Sequence, residues 1–335
     1  MDPIRKHSRV LVALLLWLVA TGAKLPAQPG IPVPPSKGPQ LPPQEVENEG
    51  FPKGAVGKPA SRIVISTTSV TPVVYSQITG FTGGGSMGWK PPDPHGAIGP
   101  KGILHSVNSG LGFMYRDGSS VWTQSLYDFF VPAGAVYNPV DPKVLYDAAA
   151  GRYFVIGIEP LCSASYLDVA VSKDDDPETN GSSDWYWYRF DVTQNFSGSN
   201  YGFDYPCVGF DHQAFYVTAQ MRKLPFYSFC GAVNPAFQNV AVVMFDKSAL
   251  MNGTASGFNR VNTPNRVNNG SNLQPASLIG TPNAGNVGYF ADIVWNDNTK
   301  IRIWAVSDPL GTPSLSSATV TVPSHGEAVG LRRPA

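Results

Sequence analysis

The sequence predicts an all-β fold, a β-propeller of four-stranded antiparallel blades. Three observations lead there: a motif that recurs four times, short strand-like runs between turn formers, and a shortage of charge. Pro94, Pro142, Pro206 and Pro275 are each followed five residues later by Gly or Asp, at Gly99, Asp147, Asp211 and Gly280. An apolar residue (Ile98, Tyr146, Phe210, Ile279) stands just before each. The prolines recur every 48 to 69 residues, which leaves room for four strands per unit, the arithmetic of a propeller blade.

Each unit is built in the same order. The proline opens it, because at the start of a strand it removes no ladder donor. After a turn comes an apolar run: Ile103–Val107, Tyr153–Ile158, Phe215–Thr218 and Tyr289–Trp295. A second run ends near an Asp, as Phe113–Asp117, Leu167–Asp174, Val240–Asp246 and Ile301–Asp308. A last run closes the unit, as Val121–Tyr127, Trp185–Phe190, Phe258–Val261 and Ala318–Val322. These pieces are rich in Val, Ile, Tyr, Phe and Trp and bounded by Gly, Pro, Asn and Asp, which is strand and hairpin chemistry. No long window carries a 3.6-residue apolar period, so helices are not expected. Four units are at the low end for closing a ring, so the ring is expected to be small, incomplete or truncated.

Charged residues make up 14% of the chain, and 24 Lys+Arg balance 24 Asp+Glu. So few charges suit sheets buried on both faces, and the lack of a basic excess excludes a large nucleic-acid surface.

Arg5, Lys6 and Arg9 precede an apolar run from Val10 to Ala20 and then Thr21-Gly22-Ala23, the layout of a secretory signal peptide over residues 1–23. The run is too short to cross a bilayer, which takes about 20 residues. The mature chain is therefore expected to be secreted or held at the cell surface, without a membrane span and monomeric. Residues 24–60 hold ten prolines and read as a disordered, partly extended linker. The propeller domain is expected over 61–323, with 324–335 a disordered tail.

Cys162, Cys207 and Cys230 all lie in the exported part, where one disulfide and one odd thiol are expected. Three pairings are open. Cys207–Cys230 is favoured, because the apolar segments between them can fold back on one another.

The segments PPDPHGAIGP (91–100), NPVDPKVLYDAAAGRYFV (138–155), LDVAVSKDDDP (167–177), DWYWYRFDV (184–192) and DYPCVGFDHQAFYVTAQ (204–220) resemble a family of large exported bacterial β-propeller proteins. The resemblance covers about residues 80–310. It implies a secreted propeller, often joined to adhesion or sorting modules, with further blades and no catalytic residues to carry over. Tyr115-Arg-Asp117-Gly-Ser119-Ser-Val-Trp122 is also similar to the Asp-box hairpins of sialidase-type propellers, with Tyr115 in place of the leading Ser. Such boxes are structural turns.

Three groups of residues carry candidate chemistry. Asp93, His95, Asp141 and Asp204 stand at the start of successive repeats, so symmetry would set them around one rim as ligand-binding residues. Carboxylates gathered there could hold a cation or split their pKa values for acid–base work. The plainer alternative is that Asp before Pro bonds its own backbone and starts a turn. Asp176, Glu178, Asn180 and Asp184 offer oxygens at spacings that partly match a calcium loop, with Gly181 at the sixth place, which makes Ca²⁺ the one candidate cofactor. Against this, Trp187 stands where a bidentate Glu belongs. Trp185-Tyr-Trp-Tyr188 puts aromatics on both faces of one strand, as a blade packed between two neighbours requires. No nucleotide-binding, serine-hydrolase or zincin motif is present.

The function expected from these features is recognition of an extracellular carbohydrate or protein through loops at the channel face, more as a binding module than as an enzyme. The alternatives are a propeller-type glycan-processing hydrolase or lyase of sialidase-like kind, and a structural adhesion module or gene fragment.

Overall fold

The structure is a computed structural model that describes residues 91–225, 230–231, 236–264, 272–278, 286–294 and 297–322. The expected signal peptide, linker and C-terminal tail lie outside these residues, as does the expected first part of the propeller domain. Among the described residues seventeen strands form four antiparallel sheets, in the arrangement of propeller blades. Blade 1 is β1 (His95–Ile98), β2 (Gly102–Val107), β3 (Gly110–Tyr115) and β4 (Ser120–Ser125). Blade 2 is β5 (Val140–Asp147), β6 (Arg152–Pro160), β7 (Ser165–Ser172) and β8 (Trp185–Asp191). Blade 3 holds β9 (Gln194–Phe196), β10 (Ser199–Phe210), β11 (Ala214–Lys223), β12 (Phe237–Asp246) and β13 (Asn259–Asn262). Blade 4 is β14 (Gln274–Pro275), β15 (Val287–Ile293), β16 (Lys300–Ser307) and β17 (Ser314–Thr321).

Within each blade, neighbours in sequence are neighbours in the sheet, so every connection is a hairpin. The recurring Asp closes the first hairpin. Asp147 Oδ1 accepts from the amides of Ala149 and Ala150 at 3.0 and 3.1 Å, and Asp211 Oδ1 accepts from those of Gln213 and Ala214 at 2.9 and 2.8 Å. In blade 1 the same corner is made by backbone alone, Gly99 N–H donating to Gly102 O at 2.9 Å. The five-residue offset from the proline is thus the length of an inner strand plus its turn.

Three features depart from the sequence reading. Blade 3 has a fifth strand, because Ser197 and Gly198 take positive φ (50° and 82°) and turn β9 back onto the start of β10. Among the described residues two five-residue helices occur, α1 (Leu126–Phe130) and α2 (Lys247–Met251). Each is capped by a side chain, Ser125 and Asp246, that accepts from a first-turn amide. The third departure concerns the cysteines: the disulfide joins Cys162 to Cys230 across Cα atoms 5.5 Å apart, and Cys207 is free. The pairing expected from sequence fails because Cys207 lies inside β10, directly opposite Thr218 of β11. It is Cys162, 68 residues before Cys230, that the blade 2 loop brings within bonding range.

The core lies between blades. On blade 2, Tyr153 and Val155 face blade 1, where they join Leu104, Phe113, Phe129 and Trp185. Their alternates Phe154 and Ile156 face blade 3 and join Phe215, Val217, Val243 and Phe245. A third cluster, Tyr216, Val242, Met244, Phe290 and Trp304, joins blade 3 to blade 4. Strands buried on both faces read as continuous apolar runs, which is why the sequence shows no alternation there. The Trp185–Tyr188 strand behaves as expected: Trp185 and Trp187 pack on Phe129, and Tyr188 donates to Leu250 O at 2.7 Å on the other side.

The innermost strands pack side by side in the order β1, β5, β10, β14. A Cβ on Gly209 would lie 2.7 Å from Pro275 Cβ and 2.8 Å from Ala276 O, so only glycine lets β10 meet β14 this closely. Among the described residues no comparable packing joins β14 back to β1.

Candidate functional site

Pro94 stands just before β1, whereas Pro142 and Pro206 lie inside β5 and β10 at bulges rather than opening them as expected, and the residue before each of these three is held in an uncommon conformation. Asp93, Asp141 and Tyr205 have φ of 43°, 52° and 51°. The left-handed region is unfavourable for any side chain with a Cβ, and a following proline restricts the backbone further. In blades 2 and 3 the strand pairing also slips at this point, between Val140 and Lys143 and between Asp204 and Cys207. Such bulges re-aim side chains at the end of a sheet.

Of the carboxylates placed there, that of Asp141 bonds across blades, while those of Asp93 and Asp204 bond partners on other strands or turns of their own blades. Asn108, at the end of β2, donates from Nδ2 to Asp93 Oδ2 at 2.8 Å and accepts at Oδ1 from the Asp141 amide at 2.9 Å. Asp141 Oδ2 in turn accepts from the Tyr205 amide at 3.3 Å. A chain of bonds therefore runs from blade 1 through blade 2 to blade 3. Asp204 Oδ2 pairs with Arg222 Nε at 2.6 Å, Arg222 Nη2 donates to Gln220 Oε1 at 2.6 Å, and Gln220 Nε2 donates to Asn272 Oδ1 at 2.6 Å, ahead of blade 4. The local turn suggested as the plainer role for Asp93 and Asp141 is not the bonding they make.

Electrostatics confirms the proximity. Burial pushes Asp141 up to about 7, with the charges of Asp204 and Asp93 adding to the shift, against the Tyr205 amide and Lys143. Asp204 is raised by burial as well, against the pull of Arg222. His95 lies one tier below. Burial and the nearby Lys143 hold its pKa below the ordinary value, and its Nδ1 accepts from the Val144 amide at 3.3 Å. Thus Asp93, Asp141 and Asp204 are brought together, and His95 borders them. Tyr205, 53% exposed, follows Asp204 and is tied to Asp141 through its amide.

Asn108, Lys143, Tyr205 and Arg222 were not singled out by sequence reasoning. A signal existed for two of them: Tyr205 takes the pre-proline position held by Asp93 and Asp141, and Lys143 the post-proline position of His95 and Cys207.

The acidic loop behaves differently. The Asp174 carboxylate caps the Asp176 amide at 3.0 Å, and Asp184 Oδ2 accepts from Thr179 N at 2.6 Å. Asn180 Nδ2 donates to Gln124 of blade 1. Trp122 Nε1 donates to Pro177 O at 2.8 Å and Trp185 Nε1 to Thr179 O at 3.0 Å. The proposed ligands Asp176, Glu178, Asn180 and Asp184 share one loop but do not converge. Among the described residues no group of three or more His, Cys, Asp or Glu side chains is placed to hold a metal ion. Asp184 is thus engaged within the loop and Asn180 with blade 1.

The Asp-box segment is a plain turn. Asp117 Oδ1 accepts from the Ser119 amide and hydroxyl at 2.8 and 2.6 Å, and Gly118 takes φ 90°.

No family model matches the chain, and no curated protein matches it. Among solved structures it is similar to the GH43 endo-arabinanase from Bacillus licheniformis, at 13% identity and a TM-score of 0.21, over 68% of this chain and 92% of that one. A likeness this distant transfers no residue or role. The resemblance of the motifs to exported bacterial propellers therefore stands on the motifs alone. Among the described residues no helix is long and apolar enough to cross a membrane.

Proposed function

We propose that the chain is an exported propeller that binds a carbohydrate at the end of its channel. The supporting observation is that bonds and charge link Asp93, Asp141 and Asp204, from three successive repeats, beside the exposed Tyr205, whose amide donates to Asp141. Carboxylates accept bonds from sugar hydroxyls, and an amphipathic aromatic ring stacks on the apolar face of a sugar. A few polar groups around one apolar anchor are the usual make-up of a small-ligand site. Screening the full chain on a glycan array tests this. Binding lost in both Tyr205→Ala and Asp141→Asn, with folding intact, is the expected result. Binding unchanged in both variants would overturn it.

One observation favours a second reading. A carboxyl raised to about 7, with two further carboxylates acting on it, offers the proton donor that a glycosidase pair needs. Asp141 would give its proton to the glycosidic oxygen as the bond to the anomeric carbon breaks. Asp93 or Asp204 would take the proton of the attacking water. Turnover of reporter glycosides that disappears in Asp141→Asn would establish the enzyme. Binding without turnover leaves the binding module.

A further inference from the structure

The residues on either side of the repeating prolines form two tiers at the channel end. Asp93, Asp141, Tyr205 and Gln274 precede the prolines, and His95, Lys143, Cys207 and Ala276 follow them. Lys143 is central to the lower tier, because its charge acts on His95 on one side, Cys207 on the other, and Asp141 above. Its Nζ also stands 5.7 Å from the centre of the Tyr205 ring.

The neighbouring cation Arg222 is committed, being held by Asp204. Lys143 is half-buried, yet among the described residues no carboxylate lies within ion-pair distance of it. Asp141 beside it is largely protonated below neutral pH and so does not neutralise it. An ammonium partly withdrawn from water, beside an exposed aromatic ring and a set of hydroxyl acceptors, is a three-part receptor. The ring takes a sugar face, the carboxylates take its hydroxyls, and the ammonium takes a negative charge carried by the sugar itself.

Resting on the carbohydrate-binding reading above, we infer that the ligand is an acidic glycan, whose uronate carboxylate pairs with Lys143 while its ring lies on Tyr205. The carboxylate of a uronate projects from the sugar ring and can meet a cation beside the stacking surface. A neutral glycan would leave the ammonium unpaired and partly desolvated, which disfavours it.

The test is titration calorimetry of the full chain with oligomers of galacturonate, glucuronate and mannuronate, each beside its methyl ester. The ester keeps the ring and removes the charge. The expected result is binding of an acid at least about tenfold tighter than its ester, the effect of one charge-assisted bond. Lys143→Gln abolishes the difference and Lys143→Arg retains it, with melting curves confirming that both variants fold. Higher salt narrows the gap. Esters or neutral glycans that bind as tightly as the acids, or an acid preference that survives Lys143→Gln, overturn the inference and leave carbohydrate binding standing. If no glycan binds, charged or neutral, the underlying reading fails and this one with it.

Discussion

Two acidic regions of this molecule use their carboxylates in opposite ways. In the loop at 174–184, Asp174 and Asp184 accept from amides two and five residues away. At the channel end, Asp93 accepts from Asn108, 15 residues on in its own blade, and Asp141 accepts from Tyr205, 64 residues on in the next blade. Local bonding closes a turn and needs nothing from a ligand. Bonding between blades gathers charge from separate repeats into one place, at an energetic cost visible in positive φ and in a carboxyl raised to about 7. Acidic density in sequence and repeat-equivalent placement thus lead to different bonding.

Asp147 combines both habits, and breaking it should have the largest effect. Its Oδ1 closes its own turn, while Oδ2 accepts from Lys247 Nζ at 2.7 Å in the next blade, with both side chains buried. Lys247→Met strands the Asp147 carboxylate in the interior. Unfolding by denaturant should show a loss of about 3–5 kcal/mol, as removal of one partner of a buried pair does. A loss below about 1 kcal/mol would mean that cross-blade pairs contribute no more than surface ones.

Tyr205→Ala separates binding from stability. The ring is exposed, so stability should move by no more than about 0.5 kcal/mol, while glycan affinity measured by calorimetry falls about tenfold or more. Equal loss of both would make Tyr205 a structural residue.

The pH dependence of the two regions should differ as well. The folded pKa of Asp141 lies above the unfolded value of about 3.9, so its protonation stabilises the fold at low pH. That contribution is full below about pH 4 and is lost as pH rises through about 7. Melting temperatures from pH 4 to 8 should therefore fall more steeply for the wild type than for Asp141→Asn. Parallel curves would show that Asp141 titrates normally. The smallest effect is expected in the loop: Asp184→Asn weakens one turn by about 0.5–1.5 kcal/mol, leaves glycan binding unchanged, and added calcium does not raise the melting temperature of the wild type.

Most of the fold was legible because the strand runs and the proline-to-Asp offset are written in local sequence. Twelve apolar or aromatic runs fall on β2–β4, β6–β8, β11–β13 and β15–β17. The β9 hairpin escaped notice because Gln194–Phe196 has no strand composition and owes its place to the turn at Ser197-Gly198. The short helices escaped because five residues show no period. The disulfide was misassigned because the distance between Cys162 and Cys230 depends on how blades 2 and 3 stand together, which no local pattern records. At the channel end the Asp-Pro repeats pointed to Asp93 and Asp141. Asn108, which ties these two together, lies in a turn with no motif. Arg222 was hidden at the end of a strand read for its apolar residues.

The central claim is that the channel end, and not the acidic loop, meets the ligand. Hydrogen exchange of the full chain, with and without the tightest glycan found by array, measures this most directly. The account predicts slowed exchange at the amides of Asp141, Lys143, Val144 and Tyr205, with those of 174–184 unchanged. Slowing confined to 174–184, or slowing elsewhere with the Asp141 and Tyr205 amides unaffected, would contradict it.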